Sequence, residues 1–231
     1  MLAFPLLIPG LAGCQQDTQV LLPLPGPIVD AREAPRLPPP PPAPPPLKTI
    51  AHKTIVVDAG HGGRDPGAMP KFRGQMREKD INIDIAKKVA SQLGSRGARV
   101  IMTRTSDSTL ELDDRARVAD RYRCDLLLSI HVDSSPKRWI SGTGIFIHTQ
   151  PSAETMRIAQ RIASSFRRNG ISCRGINRRN FHVLREHHSP GILIESGYLT
   201  NSVESQRLND PAYRSKLATA IAEGIADHFA R

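Results

Sequence analysis

From Lys53 onward, short apolar runs alternate with amphipathic stretches. Residues 54–57 form a β-branched run that stops at Asp58-Ala59-Gly60, which predicts a strand followed by a glycine-rich turn. Ile81, Ile85, Val89 and Leu93 recur every four residues and so share one face of a helix. Gly97 lies just past that helix, and residues 98–102 read as a second strand. Residues 112–122 read as helix, 126–130 as a strand ending at His131, 144–149 as strand and 154–167 as helix. Residues 192–194 predict a short buried strand and 213–229 a closing helix. Strands alternating with helices predict a single α/β domain over residues 53–231, its central sheet mostly parallel and flanked by helices on both faces. The apolar runs are continuous, as strands covered on both sides require.

The first fifty residues follow another pattern. Twelve prolines fall between Pro23 and Pro46. Each fixes φ and removes a backbone donor, so residues 15–52 are expected to be a disordered, polyproline-like linker. Residues 2–11 are mostly apolar but too few to span a bilayer. They end in Leu11-Ala12-Gly13-Cys14, which resembles the lipobox of a bacterial lipoprotein signal, although no Lys or Arg precedes the run. This predicts a signal segment over 1–14, lipidation at Cys14, export to the periplasm and membrane contact only through that anchor. Gln15 fits outer-membrane sorting.

The formal net charge is +10. Residues 1–51 carry three basic and three acidic side chains, so the excess lies in the domain. A basic surface attracts anionic partners. Aromatic residues make up only 4% of the chain, which argues against a single-strand nucleic-acid binder built on stacking platforms. No nucleic-acid partner is expected.

Open α/β sheets bind ligands beyond the carboxyl ends of their strands. Three titratable residues follow or end strands: His61, His131 and Glu195. Two histidines and a carboxylate without cysteine are the usual ligand set of a catalytic zinc. Glu78, at the start of the Ile81 helix, can supply the oxygen, and a helix N-terminus suits a carboxylate. Glu195 is then the natural general base. Each of these residues also has common structural uses, and spacing alone leaves both readings open. Gly60, Gly62, Gly63 and Gly67 are not followed by Gly-Lys-Ser/Thr, which argues against a phosphate-binding P-loop. His148, His182, His187 and His188 have no assigned role, and Cys124 and Cys173 lack metal-type spacing.

The stretch from Ile55 to Ala68, with Asp58-Ala59-Gly60-His61-Gly62-Gly63, resembles the opening motif of the zinc-dependent N-acetylmuramoyl-L-alanine amidases of the amidase-3 family. Glu78 before Asn82, Thr103-Arg104, Arg115, Ser129-Ile130-His131-Val132-Asp133, Val183-Leu184-Arg185 and Ile194-Glu195-Ser196-Gly197-Tyr198 match further family motifs in order. The resemblance implies hydrolysis, by zinc-activated water, of the amide between the lactyl group of N-acetylmuramic acid and L-alanine of the peptidoglycan stem. It implies one zinc ion on His61, Glu78 and His131, with Glu195 catalytic. Asp133 is expected behind a histidine ligand and Arg185 near substrate. A zinc peptidase acting on the stem would use the same chemistry, whereas a non-catalytic wall-binding module would not need all four residues. Septum-splitting relatives often carry a long insertion with a zinc-covering helix. Here 63 residues separate His131 from Glu195, so no covering helix and no activator are expected; a monomer is expected as well. Glu186-His187-His188-Ser189 departs from the family pattern before its proline, which bears on substrate contacts.

Overall fold

Alternation within the strands sorts the core into two layers. Ile55, Val57, Leu126, Leu128, Ile130, Ile192 and Ile194 point to one side of the sheet, and Val56, Leu127 and Leu193 to the other. The computed structural model describes residues 47–230. The segment ending at Cys14 and the proline stretch to residue 46 lie outside the described residues. The strands are β1 (Thr54–Ala59), β2 (Arg99–Met102), β3 (Leu126–Asp133), β4 (Thr143–Ile147), β5 (Cys173–Arg178) and β6 (Gly191–Tyr198). They form one sheet in the order β2-β1-β3-β6-β4-β5, parallel throughout except that β4 runs antiparallel to β6.

Helices α1 (Glu78–Gly94), α3 (Ala153–Arg168) and α6 (Pro211–Phe229) cover the larger apolar layer, with α6 packed between the other two. Helices α2 (Leu112–Tyr122) and α4 (His182–Arg185) cover the smaller one. Ile81, Ile85, Val89 and Leu93 are the buried stripe of α1. Helix α5 (Ser202–Asn209) joins β6 to α6 and is capped by Asn201, whose Oδ1 accepts the amides of Val203 and Glu204, each at 3.1 Å.

The expected fold class is the observed one, and several details differ, among them the helices α4 and α5, which no apolar stripe marked. β5 is an edge strand with one large apolar residue, Ile176, so no apolar run marked it. Strand β6 continues beyond Ile194 through Glu195 to Tyr198, because Ser196 and Gly197 are buried without being large apolar residues. The domain also begins before Lys53. Ile50 is only 2% exposed, and its amide donates to the Arg96 carbonyl at 2.8 Å. A single isoleucine gives no periodicity, so the apolar pattern alone starts the domain at Lys53.

The carboxyl end of β1 is held by a buried ion pair. Arg115 Nη1 donates to Asp58 Oδ1 at 2.8 Å, and Asp58 also accepts the Thr103 and Ser129 hydroxyls at 2.7 and 2.6 Å. Burial alone would raise the Asp58 carboxyl. Arg115 and the two hydroxyls outweigh it and hold the pKa below the ordinary 3.8. The stabilisation from this group is therefore complete above the ordinary aspartate value and is lost as pH falls through the lowered folded value. Asp58→Asn leaves a buried guanidinium without its counter-charge. Denaturant unfolding is expected to show a loss of about 3–5 kcal/mol at neutral pH. The difference from the parent should shrink in acid; an unchanged midpoint at neutral pH would contradict this account.

Candidate metal centre

After Ala59 the chain leaves the sheet in a turn that puts His61 in the left-handed region, at φ 60°. A side chain there is strained and needs support from its surroundings. Two buried arginines provide it. Arg104 donates Nε to Ala59 O at 2.8 Å and Nη2 to Gly60 O at 3.0 Å. Arg115 donates to Ala59 O at 2.7 Å and to His61 O at 2.8 Å. The glycine turn that follows is fastened by Asp107, which accepts Gly63 N at 2.7 Å and Lys79 Nζ at 2.7 Å.

Glu78 opens α1 and is 4% exposed. Its Oε2 accepts Ala68 N at 2.6 Å, and its Oε1 accepts Val132 N at 3.1 Å and Asn82 Nδ2 at 3.3 Å. The same Oε1 lies 3.1 Å from His61 Nε2 and 3.1 Å from His131 Nδ1. All three donor atoms fall within 4.8 Å of one another, and among the described residues this is the cluster of His, Cys, Asp and Glu able to hold a metal. Burial pushes the Glu78 carboxyl up, but the hydrogen bonds from His131 and His61 prevail and hold it well below the usual carboxylate range. Burial lowers the His61 imidazole, and the Glu78 and Asp65 carboxylates more than reverse it.

Close packing makes the cradle. A Cβ on Gly60 would lie 2.2 Å from His131 Cε1, and one on Gly67 would lie 2.6 Å from Glu78 Oε2. Gly67 also sits at φ 67°, where only glycine is unstrained.

Glu195 faces His131 across the β3–β6 pair and Gly144 across β6–β4. Its Oε2 is buried and has no hydrogen-bond partner among the described residues. Burial raises its pKa well above the ordinary value, and the charges of Asp133 and Glu78 add to that. His61, His131 and Glu195 line one cleft of about 560 Å³, whose far wall is Leu110, Glu111 and Phe181.

The remaining sequence candidates sit elsewhere. Asp133 Oδ1 accepts Ser134 N at 2.7 Å, and burial together with the nearby Asp133 charge pushes the Tyr198 hydroxyl up to about 12. Asp133 thus lies beside Tyr198 and Glu195, and the carboxylate on a histidine is Asp65, whose Oδ2 is 2.6 Å from His61 Nδ1. The spacing of Asp65 four residues after His61 was the available signal. Arg185 lies on α4 against Glu186 and His182. Cys124 and Cys173 are free thiols.

A mixed α/β sheet that brings two imidazoles and a carboxylate together, with a second carboxylate alongside, has the make-up of a metal-using hydrolase. A family model described as N-acetylmuramoyl-L-alanine amidase matches residues 55–227. The amidase LytC of Bacillus subtilis is 30% identical over 182 residues, which cover 78% of this chain but 36% of LytC. Among solved structures, an N-acetylmuramoyl-L-alanine amidase from Clostridium difficile 630 superposes with a TM-score of 0.73 at 34% identity, covering 78% of this chain and 97% of that one. The CwlD amidase from Clostridioides difficile, solved in complex with the GerS lipoprotein, gives 0.72 at 30% identity and covers 76% and 98%. The chain belongs to the amidase-3 family of N-acetylmuramoyl-L-alanine amidases, which are peptidoglycan hydrolases.

Gly60→Ala would drive a methyl group into the His131 ring. Metal affinity is expected to fall about 10–100-fold, read as metal retained after dialysis, while the unfolding transition persists. Parental metal retention would refute the close-contact account.

Proposed function

We propose that this chain cleaves the amide between the lactyl group of N-acetylmuramic acid and L-alanine of the stem. One zinc ion is held by His61, Glu78 and His131, and Glu195 carries the proton. The observation behind this reading is the single carboxylate oxygen, Glu78 Oε1, lying 3.1 Å from a nitrogen of each histidine, with Glu195 one strand away. The donor set, two imidazoles and a carboxylate without thiolate, fits zinc.

Bound zinc supplies Lewis acidity, polarising the scissile carbonyl and making water nucleophilic near neutral pH. The chain's own residues do the rest. Asp65 accepts the Nδ1 proton of His61 and so leaves Nε2 free as a donor to metal. Glu78 stays anionic because its pKa is held low. Glu195, its affinity for a proton raised by burial and by Asp133, takes the proton from water and delivers it to the departing amine of L-alanine. Asp133 and Tyr198 act through Glu195.

The reading includes export to the cell envelope, with Cys14 as a lipid attachment point, a periplasmic site of action, and activity as a monomer without an activator. Two features support the last of these. Between β3 and β6 the chain builds β4, α3, β5 and α4, with α3 packed on α6 rather than placed over the ligands. The His61 and His131 side chains keep 25% and 18% of their surface exposed.

Glu195→Gln is expected to keep its zinc while cleavage of sacculi falls about 10²–10⁴-fold, with metal content and muropeptide masses measured together. Full cleavage by the variant would remove Glu195 from its role, and shortened rather than intact released stems from the parent would indicate a peptidase. Purified protein supplied with zinc alone should release stems from intact sacculi. Release that appears only after a partner protein is added would overturn the activator-free reading.

A further inference from the structure

The chain contains a single tryptophan, and it is spent on the surface. Trp139 is 76% exposed, the most exposed of the large hydrophobic residues described. It lies in the loop of residues 134–142 between β3 and β4. That loop leaves β3 just after His131 and re-enters the sheet at Thr143-Gly144. Both His131 and Gly144 are cross-strand partners of Glu195. Trp139 therefore sits on an arch whose two feet stand on either side of Glu195.

The arch is fixed in place. Ser135 N donates to Thr200 Oγ1 at 3.0 Å, the Arg138 carbonyl accepts Asn201 Nδ2 at 3.0 Å, and Gly142 N donates to buried Glu204 Oε1 at 2.8 Å. Ile140 N closes a turn on Lys137 O at 3.1 Å. A backbone held at four points presents an indole to water, beside the exposed Lys137 and Arg138. Tryptophan is enriched at binding surfaces, because the ring offers wide apolar area at little cost in side-chain entropy.

The proposed reaction says what the contact is with. The scissile amide joins a peptide to a sugar, so two binding surfaces must diverge from the metal. The cleft runs from His61, His131 and Glu195 toward α2 and α4, and none of residues 134–142 lines it. The arch is tied instead to the β6–α5 turn, at Thr200 and Asn201, which do not line the cleft either. We infer that Trp139 is a stacking platform for the glycan strand, binding the apolar face of a pyranose ring next to the N-acetylmuramic acid whose lactyl amide is cut. This rests on the amidase reading for the identity of the sugar. A flat apolar face with hydrogen-bonding groups around its rim, as a pyranose has, matches an indole flanked by two exposed cationic donors.

Because Trp139 is the sole tryptophan, its emission reports directly on its own environment. The full chain is titrated with a peptide-free tetrasaccharide of alternating N-acetylglucosamine and N-acetylmuramic acid, and separately with phosphatidylglycerol vesicles. A saturable blue shift with the tetrasaccharide is expected, equally in Glu195→Gln. Trp139→Ala should raise KM on sacculi about tenfold, the scale of one aromatic contact, with kcat changed much less, and Trp139→Phe should recover most of the loss. An active enzyme whose emission ignores the tetrasaccharide overturns the inference, as does a shift seen with vesicles alone. A protein that responds to the tetrasaccharide but releases no stems overturns the amidase reading and leaves the glycan platform standing.

Discussion

Where β1 ends, a parallel sheet leaves backbone carbonyls without strand partners, and buried carbonyls must be paired. Here Ala59, Gly60 and His61 offer their oxygens to the inside of the protein, and Arg104 and Arg115 between them satisfy all three. The two guanidiniums can be buried because Asp58 neutralises Arg115 and because their remaining donors reach the carbonyls of Lys79, Ser106 and Leu110. The position of His61 follows from this arrangement. Its left-handed backbone would relax if the carbonyls on either side were released. The cluster of His61, Glu78 and His131 is thus held as much by two buried cations outside it as by its own contacts.

The other half of the centre depends on sheet register. His131 and Glu195 are paired residues of neighbouring strands, so the two side chains share one rigid line of the sheet. Inserting β4 antiparallel against β6 places Gly144 on the same line. Any shift of β6 by one residue would turn Glu195 to the other face. The apolar residues before it are packed on both sides, Ile192 and Ile194 on one and Leu193 on the other, and hold the strand in register.

Much of this was legible in the chain. The continuous apolar runs at residues 55–57, 126–130 and 192–194 gave the parallel core, and the four-residue spacing from Ile81 gave α1 and, with it, the place of Glu78. The residues missed are those whose role is to satisfy another group. Asp65 looks like any turn aspartate until His61 is folded back over it. Asp58 is an acidic residue inside an apolar strand, and its partner Arg115 lies 57 positions on. β5 is polar because an edge strand has one flank to water, and α5 is set by its asparagine cap rather than by an apolar stripe. Trp139 is visible as a residue in the sequence, but its exposure becomes meaningful only once the two feet of its loop are known.

The topology also sets an order of assembly. His61, Glu78 and His131 belong to the unit formed by β1, α1 and β3, which is complete in the first part of the domain to be synthesised. Glu195 arrives with β6, the last strand, which must slot between β3 and β4 before α6 can settle between α1 and α3. A chain still short of its final strand already contains all three residues of the cluster but not Glu195. In chain order Glu195 is thus the last of the four residues, and it belongs to the strand that joins the two halves of the sheet.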